Sequence, residues 1–235
     1  KAGTALAPDP VQHLAAAAMG EALARAEITA SVVSEVIMGN VGTPADAANP
    51  ARVAALLAGF PEKVPAFTVS RNCASGMEAV TDGVARLQAK MASVVVACGA
   101  ESMSNYPFLF KESARRKFMA LLTARGNGAK WSAMTSFRAR DFRPRVALEE
   151  GLKDPVAGVN MGQTAERLAH EWNVSRAEQD AFSLLSHQRA AAAAALHKEE
   201  SFPYFSPNSG ELVHGDVGPR PQQSLEALGK LRPYF

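Results

Sequence analysis

Apolar residues along this chain change period several times, and the changes mark its elements. Over residues 11–26 alanine, leucine and methionine recur at helical spacing; Pro10 stands at the first turn, with Asp9 placed to cap it. Residues 32–41 turn β-branched and predict the first strand. A loop of Gly, Pro, Asp and Asn leads to Asn49-Pro50, which opens a helix that Gly59 stops. Residues 66–70 alternate like a strand. From Cys73 the period lengthens again, placing Cys73, Met77, Val80, Val84 and Leu87 on one face of a helix running to about residue 90. Residues 93–98 are continuously apolar, as in a strand covered on both faces. Ahead of all this, residues 1–10 form an irregular Ala/Gly/Pro-rich lead-in.

Strands alternating with helices of this length predict right-handed crossovers and a parallel sheet covered by helices, an α/β fold. In such sheets sites gather at the carboxyl ends of the strands, where Cys73 and the Gly99-Ala100-Glu101-Ser102 stretch fall. Past Ser104 the character changes. Residues 105–155 are aromatic, basic and irregular with some helix, so a boundary near 104 separates a core, 1–104, from an excursion and return, 105–235. Within the return a helix is predicted over 164–172. Ser175 with Glu178 makes a capping box for a long helix to about residue 197. No internal repeat is visible.

Composition narrows the picture. At 235 residues and 47% apolar the chain can bury a sizeable core, and 20% charge is ordinary for a globular protein. A net charge of +2 argues against a dedicated nucleic-acid binder and makes any cationic patch local. Two cysteines point to a reducing, cytoplasmic setting, and no apolar run is long enough to span a bilayer.

Cysteine is the one credible nucleophile. At the hinge between a strand and a helix, Cys73 would meet unpaired N–H groups and a lowered thiol pKa; a small buried thiol is the plain alternative. Its base would normally be histidine, yet His13, His170, His187, His197 and His214 lie outside Gly-rich or strand-end contexts. Two cysteines 25 residues apart and scattered histidines have no metal-ligand spacing. The arginines at 138, 140, 143 and 145, with Arg115-Arg116-Lys117, make the excursion basic, fitting either a solvated surface or a landing site for a phosphorylated substrate tail.

NCASGMEAV after a strand, with CGAESMS 25 residues later, resembles the nucleophile region of the thiolases, the acetyl-CoA acetyltransferases and 3-ketoacyl-CoA thiolases. VIMGNV followed by NPARVAAL, then NMGQTAERLA, SRAEQDAF and LGKLRPYF, agree in the same order. The resemblance implies a thiolase-like α/β fold with an inserted, mostly helical loop domain covering CoA. It also implies an acyltransferase on CoA thioesters, working by Claisen condensation or thiolysis through a cysteine acyl-enzyme. Coenzyme A thioesters are then substrates, with no cofactor or metal, in a homodimer or homotetramer.

Carried over by position, Cys73 matches the acylated nucleophile, with its own backbone N–H as one oxyanion donor. Met161 matches a position packing around the pantetheine arm, and Arg220 an arginine lying against the CoA nucleotide. Asn160 stands where biosynthetic thiolases have histidine, and Ala48 where glutamine is frequent. The family's NEAFA-like, GHP and CxGGG motifs, which belong to its C-terminal half, do not occur here, and Cys98 is expected in the core instead. The family's first strand is also missing from the start. A lone half should turn over poorly and leave apolar surface that drives association. A ketoacyl synthase shares the fold, but its TACSS-like surroundings are absent; a non-catalytic CoA or lipid carrier is the remaining alternative.

Overall fold

A computed structural model of the chain describes residues 3–235; the first two residues of the expected irregular lead-in lie outside the described part. Two compact units emerge, residues 1–105 with 176–232, and residues 106–175 with 233–235.

The first unit is built on a three-stranded parallel sheet. Its elements are α1 (Val11–Arg25), β1 (Glu35–Gly39), α2 (Pro50–Leu57), β2 (Ala66–Val69), α3 (Ser75–Gln88) and β3 (Val95–Gly99). The strand order is β2-β1-β3, with Ile37 opposite Phe67 on one side and Ala97 on the other. β1 is therefore the strand covered on both faces, and Val36, Ile37 and Met38 are fully buried. The expectation of full cover for residues 93–98 is corrected: β3 lies at the sheet edge and is half-buried along most of its length.

Alternation along the strands assigns the faces. Val36 and Met38 join Val96 and Cys98 in the core under α1 and α2, where Ala15, Met19 and Leu23 recur every fourth residue and Ala51, Ala54 and Ala55 let the helices close in. Asn49 caps α2, its side chain accepting from the Arg52 N–H at 3.3 Å, and Pro50 fills the first helical position. Asp9 does not cap α1. Pro10 takes that place, while the buried Asp9 accepts from Asn208 Nδ2 at 2.9 Å.

α3 covers the opposite face, and it does so with small residues. Ser75, Ala79 and Gly83 are buried, and a Cβ on Gly83 would meet Val95 Cγ1 at 3.3 Å. The predicted apolar stripe points outward instead: Met77, Val80, Val84 and Leu87 are 66, 45, 47 and 42% exposed. The periodicity located the helix correctly, but close backbone approach, not side-chain size, selected the face that meets the sheet. At the top of the sheet a Cβ on Gly39 would stand 2.3 Å from the Ser75 carbonyl, and one on Gly99 3.1 Å from Gly76 Cα.

The second unit holds β4 (Phe108–Leu109), α4 (Glu112–Thr123), α5 (Asn127–Thr135), β5 (Arg145–Val146), α6 (Ala147–Gly151) and α7 (Met161–Glu171), with β4 and β5 antiparallel. The ring of Phe118 sits 5.1, 4.8 and 6.3 Å from those of Phe110, Phe137 and Phe142. Beside them the buried Asp141 accepts from Lys117 Nζ at 2.7 Å and from the Arg138 N–H at 2.8 Å, which holds its carboxyl below the usual range. α7 begins three residues before the expected 164, because Asn160 and Gln163 exchange side-chain-to-backbone hydrogen bonds as a capping box.

The return to the first unit runs through α8 (Arg176–Ala192), α9 (Ala194–Glu200), a hairpin of β6 (Tyr204–Phe205) and β7 (Leu212–Val213), and α10 (Leu225–Gly229). The single long helix expected here is two, with Ala193 leaving helical geometry between them. Arg25 ties the return to α1 by donating to the carbonyls of Glu199 and Ser201, both at 2.7 Å.

Substituting Gly39→Ala should destabilise the protein by roughly 1–3 kcal/mol in urea unfolding, since backbone has to move. Gly20→Ala, inside α1 with nothing within 4 Å, should stabilise it by up to about 1 kcal/mol. Because the folded-state pKa of Asp141 is lowered, its contribution is present above the ordinary carboxylate range and lost as pH falls through that lowered value. Asp141→Asn should therefore flatten the acid limb of the stability-versus-pH profile; an unchanged limb would refute the assignment.

Candidate active site

The glycine contacts bring the first turn of α3 against the carboxyl ends of β1 and β3, and the chain must reach that turn from the end of β2 in five residues. It does so through a tight bend. Asn72 takes φ +46°, a left-handed conformation that asparagine tolerates better than most residues. The Ala74 and Ser75 N–H groups donate to the carbonyls of Arg71 and Asn72 at 3.0 and 3.1 Å. The hydroxyl of Ser75, itself buried, accepts from the Arg71 N–H at 2.8 Å and donates to the Asn72 carbonyl at 2.7 Å.

Cys73 stands at the crest of this bend and is exposed. It lies two residues ahead of Ser75, where α3 begins, so it precedes the helix instead of opening it as expected. Ala74 provides no side-chain cap. Arg71 reaches Glu78 on α3 at 2.7 Å, a second strut across the bend. Cys98 differs in every respect. It is part-buried in the middle of the edge strand, packed against the core, and burial pushes its thiol up to about 12.

The loop after β1 is fixed by a carboxylate. Glu101 accepts from the Val41 N–H at 2.9 Å, from the Gly42 N–H at 3.2 Å and from Asn40 Nδ2 at 3.1 Å, and Asn40 Nδ2 also donates to the Ala100 carbonyl. Glu101 lies in the strand-end stretch that the sequence pattern singled out, but its role as a clamp on residues 40–42 was not legible there. Neither was Ser75, whose signal is only a small polar residue directly before a Gly.

Met161 is the first residue of α7, half exposed, in the second unit. Arg220 is exposed on the loop between β7 and α10 of the first unit, and its N–H donates to His187 Nδ1 at 3.2 Å. The three candidate residues thus sit on three separate elements. Asn160, at the position where a histidine would stand, is committed to capping α7. Among the histidines, His187 has Nδ1 occupied by Arg220 and His197 faces Glu200 on its own helix at 3.8 Å. Among the described residues no group of three or more His, Cys, Asp or Glu is arranged to hold a metal ion.

Comparison with known proteins gives this geometry a context. The chain is 35% identical over 231 residues to a probable acetyl-CoA acyltransferase of Staphylococcus epidermidis, covering 96% of this chain and 54% of that protein. Its fold matches the crystal structure of the Bacillus anthracis acetyl-CoA acetyltransferase with a TM-score of 0.83 and 31% identity, over 100% of this chain and 55% of the other. It matches human mitochondrial 3-ketoacyl-CoA thiolase, solved in complex with CoA, with a TM-score of 0.80 and 29% identity, over 98% of this chain and 54% of the other. The chain spans about half the length of the curated relatives it matches. Residues 1–235 match the family model described as thiolase, N-terminal domain, and on that full-length match the chain belongs to the thiolase family.

Proposed function

We propose that this chain supplies the nucleophile-bearing part of an acyltransferase acting on CoA thioesters. The observation that carries the proposal is the exposed Cys73 on a bend braced by Ser75 at the carboxyl end of a parallel sheet. The Cys73 sulfur attacks the thioester carbonyl, the C–S bond to CoA breaks, and CoA leaves as its thiol once protonated. In the condensation direction the α-carbon of a second acyl-CoA, having lost a proton, attacks the acyl-enzyme carbonyl, forming a 3-ketoacyl-CoA and freeing Cys73. Thiolysis is the reverse. The Cys73 backbone N–H is one oxyanion donor. Met161 lies against the pantetheine arm and Arg220 against the nucleotide. The base and second cysteine belong to the C-terminal part of the family, whose GHP and CxGGG motifs this sequence does not contain.

The exposed stripe of α3 supports association as the working state, a homodimer or homotetramer, and two free cysteines fit a reducing cytoplasm.

Labelled acetyl-CoA should leave one acetyl group on the peptide containing Cys73, found by mass spectrometry. Cys73→Ser should take up none, and Cys98→Ala should label like the parent. Label on the serine variant would sink the assignment. Ser75→Ala should cost about 1 kcal/mol of stability and slow acylation of Cys73 on the order of tenfold, as the bend loses its internal hydrogen bonds.

A further inference from the structure

Asparagine is among the thermally labile residues of a folded chain. Its side-chain amide is lost when the backbone nitrogen of the next residue reaches Cγ. That attack needs a next residue without a side chain, a backbone N–H that no acceptor holds, and room for the chain to turn. Asn127 is the one asparagine of eight that a glycine follows. It takes the first position of α5 and has glycine on both sides. Gly126 has φ +83°, and a Cβ built on Gly128 would meet nothing within 4 Å. Residues 125–128 are all exposed. The first N–H groups of a helix have no acceptor within it, and the bond that ties α5 to the turn comes only at Lys130, whose N–H donates to the Gly126 carbonyl at 3.2 Å. Among the described residues no hydrogen bond holds the Asn127 side chain or the Gly128 N–H.

The other asparagines are held. Asn40 is buried, its Nδ2 donates to the Ala100 carbonyl at 3.1 Å, and the Val41 N–H behind it is taken by Glu101 at 2.9 Å. Asn49 caps α2 and precedes Pro50, which has no N–H to attack with. Asn160 caps α7. Asn105 donates to the carbonyls of Ala7 and Asp9, and Asn208 to the Pro8 carbonyl and the Asp9 carboxylate. After Asn173 the Val174 N–H donates to the Ala169 carbonyl at 2.8 Å. Asn72 is followed by Cys73, whose side chain crowds the attack.

We propose that Asn127-Gly128 is a site of spontaneous covalent modification, at which Asn127 is converted to aspartate and isoaspartate. The Gly128 nitrogen attacks the Asn127 Cγ and gives up its proton. A C–N bond forms, the bond from Cγ to Nδ2 breaks, and ammonia leaves with that proton. Water then opens the five-membered succinimide at either of its carbonyls. One opening gives aspartate; the other gives isoaspartate, in which the main chain runs through the side-chain carbon. Either product places a carboxylate at the positive end of α5, between Arg125 and Lys130, and lowers the net charge by one from +2. Aspartate there suits the helix, whereas the extra backbone carbon of isoaspartate interrupts its first turn. The proposal goes beyond the acyl-transfer reading and does not depend on it.

The test ages the purified full chain in neutral buffer for several weeks and cuts it with trypsin, which releases Gly126 to Lys130 as one peptide. Against an unaged control that peptide should gain one mass unit, as ammonia is exchanged for water, and separate into an aspartate form and an isoaspartate form. Its rate should lie within about tenfold of that of a free peptide of the same sequence. Peptides carrying Asn72 and Asn208 should stay unchanged over the same period. In isoelectric focusing a more acidic band should grow in step. Gly128→Ala adds a Cβ to open space and should slow the conversion at least tenfold. Asn127→Asp should focus with the acidic band from the start and keep the parent's circular dichroism. A rate in the folded protein a hundredfold below that of the free peptide overturns the proposal, since the fold would then hold the site shut. So does an unslowed Gly128→Ala variant, or earlier conversion of any other asparagine.

Discussion

The first turn of α3 lies so close to the sheet that two strand ends must be glycine. A Cβ on Gly39 would overlap the Ser75 carbonyl, and one on Gly99 would press on Gly76. The rest of the first unit follows from this approach. Because backbone meets backbone there, α3 can bury only small side chains lower down, and Ser75, Ala79 and Gly83 are what it buries. Because the helix starts hard against the ends of β1 and β3, the connection from β2 has no room for a wide loop and must fold into the bend that carries Cys73. The position of Cys73 is thus set by packing that lies outside its own contacts.

The same constraint leaves α3 with two unlike faces. The face toward the sheet is narrow and small; the other carries Met77, Val80, Val84 and Leu87, all exposed to solvent. A helix with that composition is stable in water only if something covers the second face or if tertiary anchoring at the first is strong. The Cys73 bend leads directly into the helix that carries the uncovered stripe, so whatever settles on the stripe lies close to the surroundings of Cys73.

Much of the first unit was legible in sequence because its strands and helices have the right lengths and stops: β1, α2, β2 and β3 fall where β-branched runs, Asn49-Pro50 and Gly59 put them. What misled was the assumption that the apolar face of a helix is its inner face. Hydrophobic period says nothing about backbone proximity, which Gly83 and Gly76 carried silently. Asp9 misled similarly, since a carboxylate before a proline looks like a cap until Asn208, far away in sequence, is seen to donate to it. The capping of α7 by Asn160 and Gln163 was written in the sequence as a capping box and simply outranked by apolar spacing. Of the candidate site, the place of Cys73 at a strand-helix junction was legible, whereas the clamp of Glu101 on residues 40–42 arises from loops brought together only by the sheet.

The bond from Asn208 to Asp9 joins residues 199 apart in sequence. During synthesis the sheet can assemble early, since central β1 emerges first and its partners follow within about sixty residues. Ser102 and Asn105 can hold the Asp9 carbonyl early, but the Asp9 carboxylate receives Asn208 only after the whole of 106–175 has been made. That stretch is continuous, joined from outside only by residues 233–235, and most of it can form on its own schedule. The first unit is therefore closed only after the insertion has been made, and any lengthening of the insertion adds only logarithmically to the entropy of closing it. Such an arrangement leaves the insertion free to vary in size and surface while the sheet and its cysteine bend stay as they are.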